Sequence, residues 1–250
     1  ADDKTNESVA RTLEFALSDY CIAQMAKALG KTADYEGLMR RAKNYRYLYN
    51  PKTKLFQARN ADGSWAGEHS GFTEGANWTY QFCVMQDVQG LIDLMGGDES
   101  FAAALDNVFD NGHYRHDNEP GHHYVYLYNY CGRFDKAQER IPEILDTHYR
   151  NGADGLSGND DCGQMSAWYL FSSLGFYPVT PASGEYALGI PRFPSARVEL
   201  PHGKVLTVRA EGLKEHKHLP VILFNGKKLD APFIDIRDLM KGGVLEFKAE

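Results

Sequence analysis

The sequence predicts a mainly α-helical chain that ends in a small β-rich module. Three observations carry this. Apolar residues recur at three-and-four spacing through most of residues 1–178. After Pro178 they shorten into runs that alternate with polar residues. Between the helical stretches lie long loops rich in Gly, Asn, Asp and His, of a kind that more often carries function than connects. Successive helix-loop-helix units suit an incomplete α/α toroid with its loops gathered at one rim.

The helices follow in order. Val9, Leu13, Ala16, Leu17, Tyr20, Met25 and Leu29 keep the spacing of one helix face, and Gly30 closes the run. A second helix is predicted over 33–48, ending before Pro51, and a third over 78–95, stopped by Gly96-Gly97. A fourth covers 99–109. Residues 122–130 and 136–147 read as a pair broken at Gly132-Arg133, and 164–174 as a last helix stopped by Gly175. About seven helices thus occupy 1–178. The remainder, 179–250, reads as an antiparallel β-module. Within it, 197–200 and 205–210 form a hairpin across Pro201-His-Gly-Lys204. Residues 221–225 and 244–247 add two strands, with Asn225-Gly226 as a tight-turn signal.

Composition narrows the function. The 250 residues suffice for a substantial core, and the net charge of −7 argues against nucleic acid or an anionic membrane as partner. No apolar run approaches the ~18–20 residues of a membrane span. The cysteines, Cys21, Cys83, Cys131 and Cys162, are scattered, so neither a zinc site nor a disulfide framework follows from their spacing. Fifteen Tyr, thirteen Phe and three Trp suit a carbohydrate-binding surface and equally a large core.

Three loops hold acids in unusual settings. Glu74 stands just before the helix that Trp78 opens, with Gly71 and Gly75 on either side. It either complements the positive end of that helix, worth ~0.3–1 kcal/mol, or is a carboxyl at a pocket rim tuned toward general-acid duty by aromatic surroundings. The second loop, His113-Tyr-Arg-His-Asp-Asn-Glu-Pro-Gly-His-His-Tyr124, offers oxygen donors from Asp117, Asn118 and Glu119 that suit a hard cation. Its adjacent histidines do not readily bind one zinc ion together. In the third loop, Asn159, Asp160 and Asp161 precede the helix starting near Gln164. One acid can cap that helix, but two suit a base with an orienting partner.

Taken together these segments resemble the family 92 glycoside hydrolases, the calcium-dependent exo-acting α-mannosidases. The resemblance begins at Ser8-Val-Ala-Arg-Thr-Leu-Glu-Phe-Ala-Leu-Ser-Asp-Tyr-Cys-Ile-Ala23. It includes Arg59-Asn-Ala-Asp-Gly-Ser-Trp65, Phe72-Thr-Glu-Gly75 and Asn118-Glu-Pro-Gly-His-His123. It continues through Gly158-Asn-Asp-Asp-Cys-Gly-Gln-Met-Ser-Ala-Trp-Tyr169 and Gly175-Phe-Tyr-Pro178. The resemblance implies an N-terminal β-sandwich followed by an (α/α)6 toroid, and this chain as the C-terminal part of the catalytic region. It implies inverting hydrolysis of terminal α-linked mannose, α-1,2 linkages foremost, from mannosides or N-glycans, by a secreted or periplasmic bacterial enzyme. By the same resemblance Glu74 is the general acid and Asp161 the general base, with Asp160 beside it. Asn118 and Glu119 contribute to a Ca2+ site, and Trp78, His122, His123 and Asn159 lie near the sugar. Asn159 stands where some members carry an acid, which leaves the orienting role to Asp160 or to Asn159 itself. Ser18 likewise stands where an acid is common.

The resemblance also predicts that activity requires an N-terminal domain or self-association. The competing expectations are a non-catalytic carbohydrate-binding or inactive segment, and another toroid enzyme such as a lyase, which would use Tyr or His as base.

Overall fold

A computed structural model describes residues 1–249. It comprises two compact units, residues 1–115 with 181–183, and residues 116–180 with the chain from 184 onward. The change from helix to strand near Pro178 falls inside the second unit.

In the first unit, helix α1 (Ser8–Ala28) packs against α2 (Thr32–Arg41), and Gly30 turns the chain between them at a φ of 68°. Val9, Leu13, Ala16 and Ala23 form the buried face of α1, whereas Met25 and Leu29, expected on that face, are exposed. The pair is joined by an ion pair from Arg41 to the buried Asp19, 2.9 Å apart. The helix predicted over 33–48 ends at Arg41 and resumes as a 3₁₀ run, Asn44–Leu48. That tighter run buries Tyr45, whose hydroxyl donates to Asp87 Oδ2 at 2.8 Å. Strands β1 (Tyr49–Asn50) and β2 (Leu55–Phe56) make a short hairpin.

The helix predicted over 78–95 is also interrupted. Helix α3 (Asn77–Tyr80) stops early, and the chain passes through Phe82, Cys83 and Val84, all buried, before a 3₁₀ turn and α4 (Val88–Met95). The sequence-level period continues across this stretch, but the backbone leaves the helix after Tyr80 and re-enters it only at Val88. Gly96 and Gly97 end α4 at φ values of 99° and 98°, as their position predicts, and α5 (Asp98–Asp110) follows.

In the second unit the segment expected as a helix over 122–130 is a 3₁₀ run, Tyr124–Cys131, buried on every side apart from Tyr130. An element apolar all round is enclosed by its neighbours. Here helix α6 (Phe134–His148) covers it, and Asn129 Nδ2 donates to the carbonyls of Leu188 and Pro232. Helix α7 (Gln164–Leu174) matches its predicted bounds and ends at Gly175. Strand β4 (Glu185–Leu188) pairs with β3 (Phe176–Tyr177) on one side and with the later segment Phe233–Asp235 on the other, in a three-stranded antiparallel sheet.

The larger sheet contains β5 (Ser195–Glu199), β6 (Val205–Ala210), β7 (Val221–Phe224), β8 (Lys227–Lys228) and β10 (Gly243–Lys248). β9 (Phe233–Asp235) and a short helix α8 (Ile236–Leu239) lie between β8 and β10 in sequence. The predicted hairpin, β5–β6, is present, and at Asn225-Gly226 the chain turns from β7 into β8, a short strand that the sequence pattern did not single out. The module is mixed rather than wholly antiparallel: the strand order is β5-β6-β10-β7-β8, and β10 runs parallel to β6. Alternating Leu245 and Phe247 supply its buried face. Among the described residues no helix is long and apolar enough to cross a membrane.

Candidate active site

The sequence-predicted residues fall into two sets, Glu74 and Trp78 in the first unit and the remaining seven in the second.

Glu74 sits at the centre of a pinned turn. The Gly71 carbonyl accepts from the backbone N–H of Val9 and Ala10 at the start of α1. Downstream, the buried Tyr80 hydroxyl donates to the Thr73 carbonyl at 2.8 Å, and Thr79 Oγ1 accepts from Ala76 N–H at 3.3 Å. Between these anchors Glu74 adopts a left-handed conformation (φ 50°) with its side chain exposed. A carboxylate bearing a Cβ gains nothing locally from that conformation. Trp78, half-buried, stacks on His113 with ring centroids 4.3 Å apart and planes 5° from parallel. His113 carried no individual signal in the sequence, because the stack joins residues thirty-five apart.

The turn bearing Asp161 repeats the device more strongly. Asp161, Cys162 and Gly163 take φ values of 42°, 58° and 91° in succession. Left-handed conformations of the two non-glycine residues cost about 1–3 kcal/mol each, and such strain persists only where surrounding structure enforces it. The enforcement is visible on both sides. Asp160 Oδ1 accepts from Ser166 N–H and Oδ2 from Ser166 Oγ, both at 2.8 Å. Those bonds hold its carboxyl below the usual range. Asp160 therefore ties the turn to the start of α7, while Asp161 and Asn159 remain exposed. On the other side Gly158 passes directly over the backbone of Asp117: a Cβ there would stand 2.3 Å from the Asp117 carbonyl oxygen.

The segment that Gly158 crosses carries Asn118 and Glu119, both half-buried. Asn118 Oδ1 accepts from Glu119 N–H at 3.1 Å and caps the short 3₁₀ turn Glu119–Gly121. An amide oxygen and a carboxylate are of the right kind for calcium, which takes about 6–8 oxygen ligands. Two side chains would supply only part of such a set. Among the described residues no group of three or more His, Cys, Asp or Glu is arranged to hold a metal ion.

His122 and His123 are buried. The Nε2–H of His122 donates to the His116 carbonyl at 3.0 Å, and its Nδ1 accepts from the Gln164 amide at 3.3 Å. Both ring nitrogens, expected near a sugar, are thus engaged within the protein, in the neutral tautomer. His123 packs edge-on against Tyr124. The network extends to residues that the motifs did not single out. His116 Nε2 lies 2.7 Å from the Tyr149 hydroxyl, which itself donates to the Met165 carbonyl at 3.0 Å. The single phenolic proton goes to Met165, so His116 is the donor to Tyr149. Trp168, fully buried, donates its indole N–H to the His122 carbonyl at 2.8 Å and stacks on Tyr149.

This cluster makes stability depend on pH. His116 is 1% exposed, and burial, then the neighbouring His122 and His148, push its pKa down to about 2. Burial lowers His122 and His148 as well. Below the unfolded pKa of roughly 6.5 the unfolded chain binds protons that the folded chain refuses. Stability is therefore expected to rise with pH from about 5 to about 7, with His116 adding a slope of up to about 1.4 kcal/mol per unit at the acidic end. Urea unfolding across that range measures the slope. A flat profile would contradict the neutral, buried assignment.

Glycoside hydrolases work with two carboxyls, and Glu74 and Asp161 are both exposed on left-handed turns. The chain belongs to glycosyl hydrolase family 92, whose catalytic domain matches residues 1–250. It is 42% identical to the family GH92 α-mannosidase BT3965 of Bacteroides thetaiotaomicron, with a TM-score of 0.93, covering 98% of this chain and 35% of that one. The same mannosidase has been solved in complex with mannoimidazole, at 40% identity and a TM-score of 0.92 over 100% of this chain and 37% of that one. A GH92 inverting mannosidase of that organism, BT2199, is 34% identical with a TM-score of 0.91, over 98% of this chain and 37% of that one. A secreted, uncharacterized glycosidase of Arthroderma benhamiae is 28% identical over 97% of this chain and 35% of its own length. The chain thus spans little more than a third of these relatives.

Proposed function

We propose that this chain supplies catalytic machinery for inverting hydrolysis of terminal α-linked mannose, with α-1,2-linked mannosides and N-glycans as the substrates to test first. The observation that carries the reading is the pair of left-handed turns. Glu74 and Asp161 are held exposed in conformations that cost folding energy, and Asp160, beside the second, is tied back to a helix. Support for mannose comes from the GH92 mannosidases to which the chain is similar.

In this mechanism Glu74 donates a proton to the leaving oxygen while Asp161 takes one from the attacking water. The two carboxyls of an inverting enzyme stand ~6.5–9.5 Å apart to admit that water. Asp160 keeps the Asp161 turn in place through Ser166. Trp78, braced by His113, offers an aromatic face to a sugar, and Asn159 an amide. Asn118 and Glu119 would hold Ca2+, which when bound would supply Lewis-acid and orienting chemistry at the sugar hydroxyls. His122 and His123 act from behind, as the buried support of that segment. The partner is a mannose-containing oligosaccharide, and the secreted relative supports an extracellular location. The family's (α/α)6 toroid and N-terminal domain complete the site in this reading.

The test is proton NMR of fresh hydrolysis of an α-1,2-mannobiose by the full-length enzyme. β-Mannose is expected first, and excess EDTA is expected to reduce the rate at least tenfold, reversed by calcium. Initial release of α-mannose, or turnover indifferent to EDTA, would overturn the corresponding part of the reading. Mannose binding without hydrolysis would overturn catalysis itself.

A further inference from the structure

We infer that Tyr149 is a positioning residue for the proposed base: its hydroxyl couples the segment bearing Asn118 and Glu119 to the first turn of α7, from which the Asp161 turn departs. The inference rests on the reading of Asp161 as that base.

Tyr149 follows directly after α6, a loop's length before the Asp161 turn and well downstream of the Asn118–Glu119 segment. Packing alone does not account for its hydroxyl. The ring stacks parallel to Trp168, centroids 5.8 Å apart and planes 3° from parallel, and a phenylalanine would stack as well. The oxygen accepts from His116 Nε2–H on one side and donates to the Met165 carbonyl on the other. These two bonds close a circuit. From Met165 it runs along α7 to Trp168, whose indole N–H reaches the His122 carbonyl. The His122 ring returns to the His116 carbonyl, and the His116 ring returns to Tyr149. Gln164, the first residue of α7, adds a strut to His122 Nδ1.

The circuit bears on the base because Asp161 has no rigid element of its own. Residues 161–163 are three left-handed residues in sequence, and their position is set by what they join: Asp160 bound to Ser166 N–H, and α7. Ser166 adjoins Met165, whose carbonyl Tyr149 holds. Releasing that carbonyl lets the start of α7 shift against Asp117–Glu119. No group assigned to contact substrate is lost, so the effect falls on the chemical step rather than on binding.

The experiment measures kcat and KM on an α-mannoside in the full-length enzyme for Tyr149→Phe, His116→Leu and His116→Gln, with Asp161→Ala as reference. Tyr149→Phe and His116→Leu are each expected to lower kcat at least tenfold with KM within threefold. His116→Gln, which keeps an N–H donor toward Tyr149, is expected to retain a third or more of the wild-type kcat. The double variant Tyr149→Phe/His116→Leu is expected to fall no further than the worse single, because both remove one shared bond. An unchanged kcat in Tyr149→Phe alongside an inactive Asp161→Ala would overturn the positioning role and leave the base intact. Equal losses in His116→Leu and His116→Gln would overturn it too, by showing that only packing matters. A fully active Asp161→Ala would overturn the base assignment itself.

Discussion

Asp161→Ala is expected to turn over an α-mannoside about 10²–10⁴-fold more slowly than the parent enzyme, the range general-base removal produces, with its stability lowered by no more than about 1 kcal/mol, because alanine tolerates the left-handed region less well than aspartate. The second half of that expectation separates catalysis from structure. Asp161 is exposed and strained at a φ of 42°, so its side chain supports nothing that the fold needs. Its neighbour is the control. Asp160→Asn loses part of a two-point attachment to Ser166 and should lower stability while keeping more activity than Asp161→Ala. Acid strengthens the control: as pH falls through the lowered pKa of Asp160, the same attachment weakens. Activity ranked the other way, with Asp160→Asn inert and Asp161→Ala vigorous, would exchange the two roles.

Gly158→Ala is expected to lower kcat more than tenfold and the unfolding midpoint by about 2–12 °C, as overpacking by ~1–3 kcal/mol would. The added methyl would lie 2.3 Å from the Asp117 carbonyl oxygen and 2.8 Å from the Asp117 carbonyl carbon and Cα. All three atoms are backbone, so no rotamer change relieves the contact. Either the 157–163 loop lifts, moving the base, or the chain through Asp117 sinks, moving Asn118 and Glu119. Activity and melting temperature, measured on one preparation, should therefore fall together. A melting temperature and kcat both at wild-type level would show that the two segments are not in fixed contact.

The sequence made much of this legible because some signals are local. Gly175 after a run of apolar residues marked the end of α7, and Asn225-Gly226 marked a tight turn, each through backbone chemistry confined to a few residues. The Asn-Asp-Asp loop drew attention for a similar reason, since like charges framed by glycines have a local cost. Legibility failed where distant groups decided the outcome. Tyr45 and Asp87, forty-two residues apart, help to break two predicted helices into tighter turns. His116 reads as one histidine among four, and its bond to Tyr149 spans thirty-three residues. Nor did alternation alone reveal the parallel neighbour of β10, because period-two patterning gives a face and not a direction.

That parallel pairing has a consequence for how the second unit assembles. Among the described residues β10 is the last of ten strands in sequence, and it lies in the middle of its sheet, between β6 and β7. Until residues 243–248 arrive, the β5–β6 and β7–β8 hairpins are two separate ribbons, each with an unpaired edge and a half-covered apolar face. Non-local closure of this kind slows folding and prolongs the interval in which edges can pair with the wrong strand. During synthesis the sheet waits for its keystone, and chaperone demand should be concentrated in that interval.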